Sequence, residues 1–369
     1  GAPPPPLVLL ELLPLSARAS APVLLLTLLT DAVVTSSGDG DASDGDDSSP
    51  VNRNGQRITY LVSFPKSGRT WLRLLLGEVL NCQYELAAAG WRVLELSPLV
   101  RLTKDATFPD VRVDHAKGEM ELVPFERWRL PRTFYNKQVL LLVRDPRDVF
   151  VSNWYEKKFR KLGLRAKTNH NRGYTADMRG GAAGVDADCS WMRKKQGLKH
   201  YLARFEYRDE PYCNETTLTC SCFHPDYTIL DFMKEPLGGF DTVLHFPTFF
   251  YAQRAHYSRF MLVRYEDMFA DRAGVLRRVL AFFDVRARRR CIDVALNATT
   301  FDAMREAEIA GRYGWRLTAR NKNDTQTFKT RRGEVGAYRE YFNTTVLQML
   351  EMQMRQILPP EFGYATEDL

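Results

Sequence analysis

Cysteine, long apolar runs and a phosphate-binding lysine of the nucleotide-kinase kind are all scarce in this 369-residue chain. Six cysteines do not make a disulfide scaffold, because several hundred residues bury a core without staples. Residues 7–15 and 23–29 are apolar, but Glu11, Pro14, Arg18 and Pro22 interrupt them. Neither run approaches the ~20 residues of a membrane-spanning helix, so no clear membrane span is expected. No internal repeat is found. What is present is globular: 44% hydrophobic and 26% charged residues exclude a wholly disordered chain.

The charge is unevenly placed. The chain stands at +7, yet residues 1–50 hold one basic residue, Arg18, and seven acidic ones. Setting those aside leaves 51 basic and 38 acidic residues, a surplus of 13, so the remainder should attract phosphate, sulfate, nucleotides or acidic glycans. Residues 1–50 read as a disordered or truncated targeting segment and linker, with 23–29 a remnant signal core and 36–50 a Gly, Asp and Ser-rich solvated stretch. Residues 51–369 read as a single domain. Nucleic-acid binding is the plain alternative for the basic body, but its bases are scattered and no RNA-reading motif occurs.

Three apolar runs each precede a helical pattern: ITYLVSF at 58–64, VLLLV at 139–143 and FMLV at 260–263. Unalternating apolar strands buried on both faces, alternating with helices, predict an α/β fold with a central parallel sheet flanked by helices. Helices are expected from about 147 to 158, from 271 to 283 and from 344 to 358. Between them, residues 160–250 lose periodicity and read as a large insertion or lid. Cys213, Cys220 and Cys222 cluster there beside His224, and are read as plain thiols, with a loop disulfide or a zinc site as alternatives.

The segment FPKSGRTW after the first run carries the chemistry. Lys66, Ser67, Gly68, Arg69, Thr70 and Trp71 fall where a strand's carboxyl end meets a helix N-terminus. Free backbone N–H groups and the helix dipole favour an anion there. Gly68 permits close backbone approach and Lys66 adds a mobile charge. This is a P-loop-like strand, loop and helix, but not a Walker A loop, whose lysine follows the second glycine.

The segment resembles the 5′-phosphosulfate loop, close to YPKSGTTW, of the cytosolic-type sulfotransferase family, whose donor is 3′-phosphoadenosine 5′-phosphosulfate (PAPS). RDPRDVFVSNWY resembles that family's 3′-phosphate motif and implicates Arg144 and Ser152. VRYEDM implicates Tyr265 at the adenosine. TTFDAM is similar to the segment framing the adenine, implicating Thr299, Phe301 and Met304. TRRGEVGAY resembles the R-K-G-x-x-G-D-W loop and puts Arg331, Arg332 and Gly333 at the 3′-phosphate. The match runs from about 58 to 342, with the middle insertion unmatched. Arg69 stands where the family has threonine, and Ala337 and Tyr338 where it has D-W. Trp71 is placed to stack on a base, or else is a core tryptophan.

The resemblance implies PAPS as donor co-substrate, no metal, and a small-molecule or glycan acceptor. Lys66 would act on the leaving group, and the acceptor's proton calls for a base near neutrality. Of six histidines, His115, at the end of VRVDH and ahead of the Arg144 strand, stands where the resemblance puts the family's catalytic histidine, within its K-T-H-x-P segment, or else it is a structural strand-end histidine. A catalytically silent nucleotide- or glycan-binding protein on this fold, and a P-loop-type kinase, are the competing readings. Asn214, Asn297, Asn323 and Asn343 each begin an N-x-Thr sequon, which suggests a secretory lumen. A glycan at Asn297, two residues from a predicted adenine contact, would obstruct the cofactor, and Asn323 nears the RRG loop, so a cytoplasmic location is expected with the Golgi lumen as alternative.

Overall fold

The computed structural model describes residues 50–114, 125–156, 212–214, 219–221, 228–234, 239–319, 322–323 and 325–364. The chain divides into compact units at 1–43 and 44–369, and the described residues belong to the second. His115, Cys222, His224, residues 1–49 and most of the segment 160–238 lie outside the described residues.

Four strands form an all-parallel sheet in the order β2 (Asp110–Asp114), β1 (Ile58–Val62), β3 (Gln138–Val143) and β6 (Arg259–Arg264). The central pair explains itself from sequence. Side chains alternate faces along a strand, so Tyr60, Val62, Val139, Leu141 and Val143 enter one core cluster while Leu61, Leu140 and Leu142 enter another. Two apolar faces leave no solvated side, which is why these strands read as unbroken apolar runs. The one polar pair between them is satisfied internally, Thr59 Oγ1 donating to Gln138 Oε1 at 2.9 Å.

Helices cover both faces. Helix α1 (Arg69–Gln83) turns Leu72, Leu75, Leu76, Val79 and Leu80 onto one of them, together with the helices Arg272–Phe282 and Arg289–Ala298. Two single-turn helices follow, α2 (Trp91–Leu94) and α3 (Leu96–Leu99). On the opposite face lie α4 (Pro146–Tyr155) and the helices Phe240–Ala252 and Thr344–Ile357. Asp145 caps α4 by accepting the Arg147 N–H at 2.9 Å, and Pro146 fills the first position, where no N–H is needed. The stretch that reads as irregular up to residue 250 is thus ordered from Phe240 on: Phe240, Val243, Leu244, Phe246 and Phe250 are buried core.

A two-stranded antiparallel hairpin, β4 (Tyr212–Asn214) and β5 (Thr219–Ser221), sets Cys213 opposite Cys220 in register. Cys82 and Cys291 form a disulfide that joins α1 to the helix Arg289–Ala298, a pairing the sequence pattern had not suggested. Among the described residues, no helix is long and apolar enough to cross a membrane.

The strand order fixes where a ligand belongs. From β1 the sheet grows one way to β2 and the other way to β3 and β6. The crevice beyond the carboxyl ends of β1 and β3 is therefore the topological switch point, where open α/β sheets bind their ligands.

Candidate nucleotide site

Lys66 and Gly68 shape the loop after β1 with positive φ angles of 78° and 91°. A left-handed backbone is cheap for glycine and strained for lysine, so the lysine's conformation is imposed by its surroundings. Gly68 is also required by space, because a Cβ there would enter the ring of Tyr265. From Gly68, α1 starts without a side-chain cap, leaving its first N–H groups to the cleft. The Lys66 ammonium lies 3.0 Å from Glu156 Oε2 at the end of α4. Any charge Lys66 meets in a ligand is met in competition with that carboxylate.

The second cationic group grows from β3. Arg144 follows the strand, stacks over the Tyr265 ring at 4.2 Å, pairs with Asp148 at 3.4 Å and donates to the Glu334 carbonyl at 2.9 Å. That last bond draws in the loop carrying Arg331, Arg332 and Gly333, nearly two hundred residues further along. Asp148 fastens the same loop from below, accepting the N–H groups of Gly336 at 2.8 Å and Tyr338 at 3.1 Å. Glu308, fully buried, fastens its start: it accepts the Lys329 N–H at 2.7 Å, the Thr330 N–H at 2.8 Å and the Thr330 hydroxyl at 2.6 Å. Arg331 lies over the Tyr155 ring at 4.0 Å and donates to the Tyr341 hydroxyl, while Arg332 pairs with Glu340 at 2.5 Å. Tyr338, standing where the resemblance leads one to expect tryptophan, is buried beneath Arg147 at 4.2 Å and packs the loop in its place.

Between the two cationic groups lie the aromatics. Trp71 Nε1 donates to the Thr299 carbonyl at 2.9 Å, and the Trp71 ring meets Tyr265 edge-on at 5.4 Å. Phe301, exposed at the start of its helix, covers Gly333 so closely that a Cβ there would overlap the ring. Tyr265 touches Gly68, Trp71 and Arg144 together, and burial pushes its phenol up from the ordinary value against the pull of Arg144.

The two cationic groups and the aromatics between them line one cleft of about 1210 Å³. Lys66, Gly68, Arg69, Thr70, Trp71, Arg144, Ser152, Tyr265, Thr299, Phe301, Arg331, Arg332 and Gly333 reach it. Ser67 does not: its side chain is buried away from the lining. Thr299 takes part through its backbone, since its hydroxyl is spent on the Ala295 carbonyl at 2.7 Å. Among the described residues, nine cations and four carboxylates border the cleft, an anion's environment. Arg144 Nε and Arg69 Nη1 are buried donors without a hydrogen-bond partner among the described residues, the kind of group an anionic ligand satisfies. Burial, followed by the charge of Arg73, pulls the Arg69 guanidinium down to about 10. Arg73 itself shares Glu95 with Arg316.

Asp148, Glu156 and Glu308 hold the cleft's charged segments and loop, and sequence reasoning missed them. Asp148 stands inside a recognised motif, so its place was visible and its task was not. Glu308 has no local signal at all, because its partners lie some twenty residues further on in an irregular loop.

Residues 57–359 match the Sulfotransferase domain family. The chain belongs to that family. Similar solved structures include mouse sulfotransferase SULT7A1 complexed with PAP, at 17% identity, covering 84% of this chain and 87% of that one with a TM-score of 0.40. Retinol dehydratase in complex with androsterone and inactive cofactor PAP is 15% identical, covering 82% and 80% with a TM-score of 0.45. A second retinol dehydratase structure, in a complex with retinol and PAP, is 14% identical, covering 81% and 80% at the same score. A search of curated protein sequences found no match. The central parallel sheet with its P-loop-like strand, loop and helix is the architecture expected from sequence, and the family supports sulfuryl transfer as the general chemistry of this sulfotransferase domain.

Proposed function

We propose that this chain is a sulfotransferase that moves the sulfuryl group from PAPS to a hydroxyl or amine of a small-molecule or glycan acceptor. The observation that carries the reading is the pairing of two separate cationic groups in one cleft, Lys66 with the α1 N-terminus, and Arg144 with Arg331 and Arg332, on either side of an aromatic wall. A donor phosphorylated at both ends of its ribose asks for two such groups. Arginine suits the terminal 3′-phosphate because its planar fork donates two parallel hydrogen bonds.

The chemistry then needs little covalent help from the protein. Sulfuryl transfer, like phosphoryl transfer, rests on position, in-line geometry and charge stabilisation. The acceptor oxygen or nitrogen attacks sulfur, the bond to the bridging oxygen breaks, and the negative charge gathers on departing adenosine 3′,5′-bisphosphate. Lys66 meets that charge, the helix N-terminus spreads it, and His115 takes the acceptor's proton. Trp71 and Phe301 flank the adenine.

Titration calorimetry with adenosine 3′,5′-bisphosphate beside ADP and ATP, without metal, tests the donor. The bisphosphate should bind more tightly than either. Arg144→Ala should weaken it about 10- to 100-fold, the loss of charge-assisted bonds worth about 1.5–3 kcal/mol. Equal affinities for all three nucleotides would refute the 3′-phosphate site. Binding without turnover on any acceptor, together with indifference to His115→Ala, would favour a silent binding protein.

A further inference from the structure

Two features that the cleft does not use point to one conclusion about where the protein matures. Cys82, in the last turn of α1, and Cys291, in the first turn of the helix Arg289–Ala298, are joined across 209 residues with their Cα atoms 5.4 Å apart. Cys291 is fully buried. Disulfides between structural elements form and persist in oxidising compartments and are rare where glutathione keeps thiols reduced. Independently, the chain carries sequons at Asn214, Asn297, Asn323 and Asn343.

The structure shows that two of these asparagines are fit to carry a glycan. Asn343 is exposed and caps the helix Thr344–Ile357, its Oδ1 accepting the Val346 N–H at 2.9 Å. Its Nδ2, the atom that takes the sugar, makes no hydrogen bond among the described residues. Glycosylation leaves Oδ1 as an acceptor, so the cap survives it. Asn297 is exposed on the helix Arg289–Ala298, whose inner face is set by Cys291, Ile292 and Ala295. At 100° per residue those three and Thr299 fall on one side, while Asn297 falls opposite them, beside exposed Asp293 and Val294. A glycan on Asn297 therefore points away from the cleft that Leu296 and Thr299 line. The obstruction that closeness in sequence suggests is absent in space.

We propose that the chain matures in an oxidising secretory lumen, where Cys82 and Cys291 are joined and Asn297 and Asn343 carry N-linked glycans. In the first step two thiols give two protons and two electrons to a disulfide-bearing oxidant, which leaves as a dithiol. In the second the asparagine nitrogen displaces the diphosphate of a lipid-linked oligosaccharide at the anomeric carbon. A C–N bond forms, a C–O bond breaks and the amide proton departs. Since Thr299 is buried, Asn297 is modified before its helix docks.

The test is the full-length protein isolated from the cells that make it, with free thiols alkylated before lysis, digested without reduction and treated with peptide N-glycosidase in heavy-oxygen water. The Cys82 peptide should run joined to the Cys291 peptide, and Asn297 and Asn343 should each convert to a heavy-oxygen aspartate. Asn343→Gln should remove one glycan while leaving bisphosphate affinity unchanged. Alkylated Cys82 and Cys291, or an unmodified Asn297 or Asn343, would overturn the proposal, and neither result bears on the donor reading.

Discussion

Replacing Asp148 by asparagine should loosen both halves of the 3′-phosphate group at once. The carboxylate's side chain is 2% exposed, and it performs three tasks: Oδ2 accepts the Gly336 N–H and faces Arg144, while Oδ1 accepts the Tyr338 N–H. An amide keeps the shape but offers one acceptor, so one of the two backbone donors meets an NH2 group whichever way it turns. Stranding a buried donor costs about 1–3 kcal/mol. Removing one partner of a buried ion pair costs about 3–5 kcal/mol, and Arg144, 13% exposed, keeps its bonds to the Glu334 carbonyl and the Tyr265 ring. The terms overlap, so Asp148→Asn is expected to cost about 3 kcal/mol in all. If all of it falls on stability, the midpoint drops by about 4–5 °C, at about 2.1 cal/mol/K per residue over a body of this size. If all of it falls on the loop, bisphosphate affinity drops about 100-fold. Calorimetry with adenosine 3′,5′-bisphosphate and adenosine 5′-monophosphate, beside thermal unfolding, separates the two. The bisphosphate should weaken more than the monophosphate, which has no 3′-phosphate to lose. Wild-type affinity and midpoint together, or equal weakening of both nucleotides, would refute the clamp.

Three other perturbations have readable outcomes. Cys82→Ser releases a closed loop of 209 residues, worth about 5 kcal/mol in the chain-entropy account and 2–5 kcal/mol in typical removals, so the unfolding midpoint should fall and cease to respond to reductant. Gly68→Ala forces a side chain into φ 91° and against Tyr265, and should weaken bisphosphate binding by at least 10-fold; unchanged affinity would mean that the loop is not the ligand's cradle. Lys66→Ala should lower kcat about 100- to 1000-fold with a much smaller change in bisphosphate affinity, as expected for a group that meets charge developing in the transition state; a fall in affinity with kcat unchanged would assign it to binding alone.

What the sequence made legible and what it did not divide along one physical line. Contacts within a strand, a turn and the first helical turn are written locally. The strand at Ile58–Val62, its loop and α1 could therefore be read directly, and so could Arg144 after its apolar run. The helix Arg272–Phe282 differs by one residue at each end from the apolar stripe that marked it. The burial of Ser67 and the commitment of the Thr299 hydroxyl to its own helix were not legible, because a motif names a residue without saying which of its atoms is free. Least legible were the carboxylates that hold cationic segments in place. Asp148 reaches Gly336 across 188 residues, and Cys82 reaches Cys291 across 209. No periodicity carries such a pairing. It exists only once the sheet has placed α1, α4 and the last loop side by side. The same reasoning reverses the inference about glycans: Asn297 stands two residues from Thr299 in the chain, but helical geometry turns that small separation into opposite faces. Closeness along the chain argued for interference where the folded helix provides separation, so the objection to a glycan at Asn297 rests on a distance the fold does not keep.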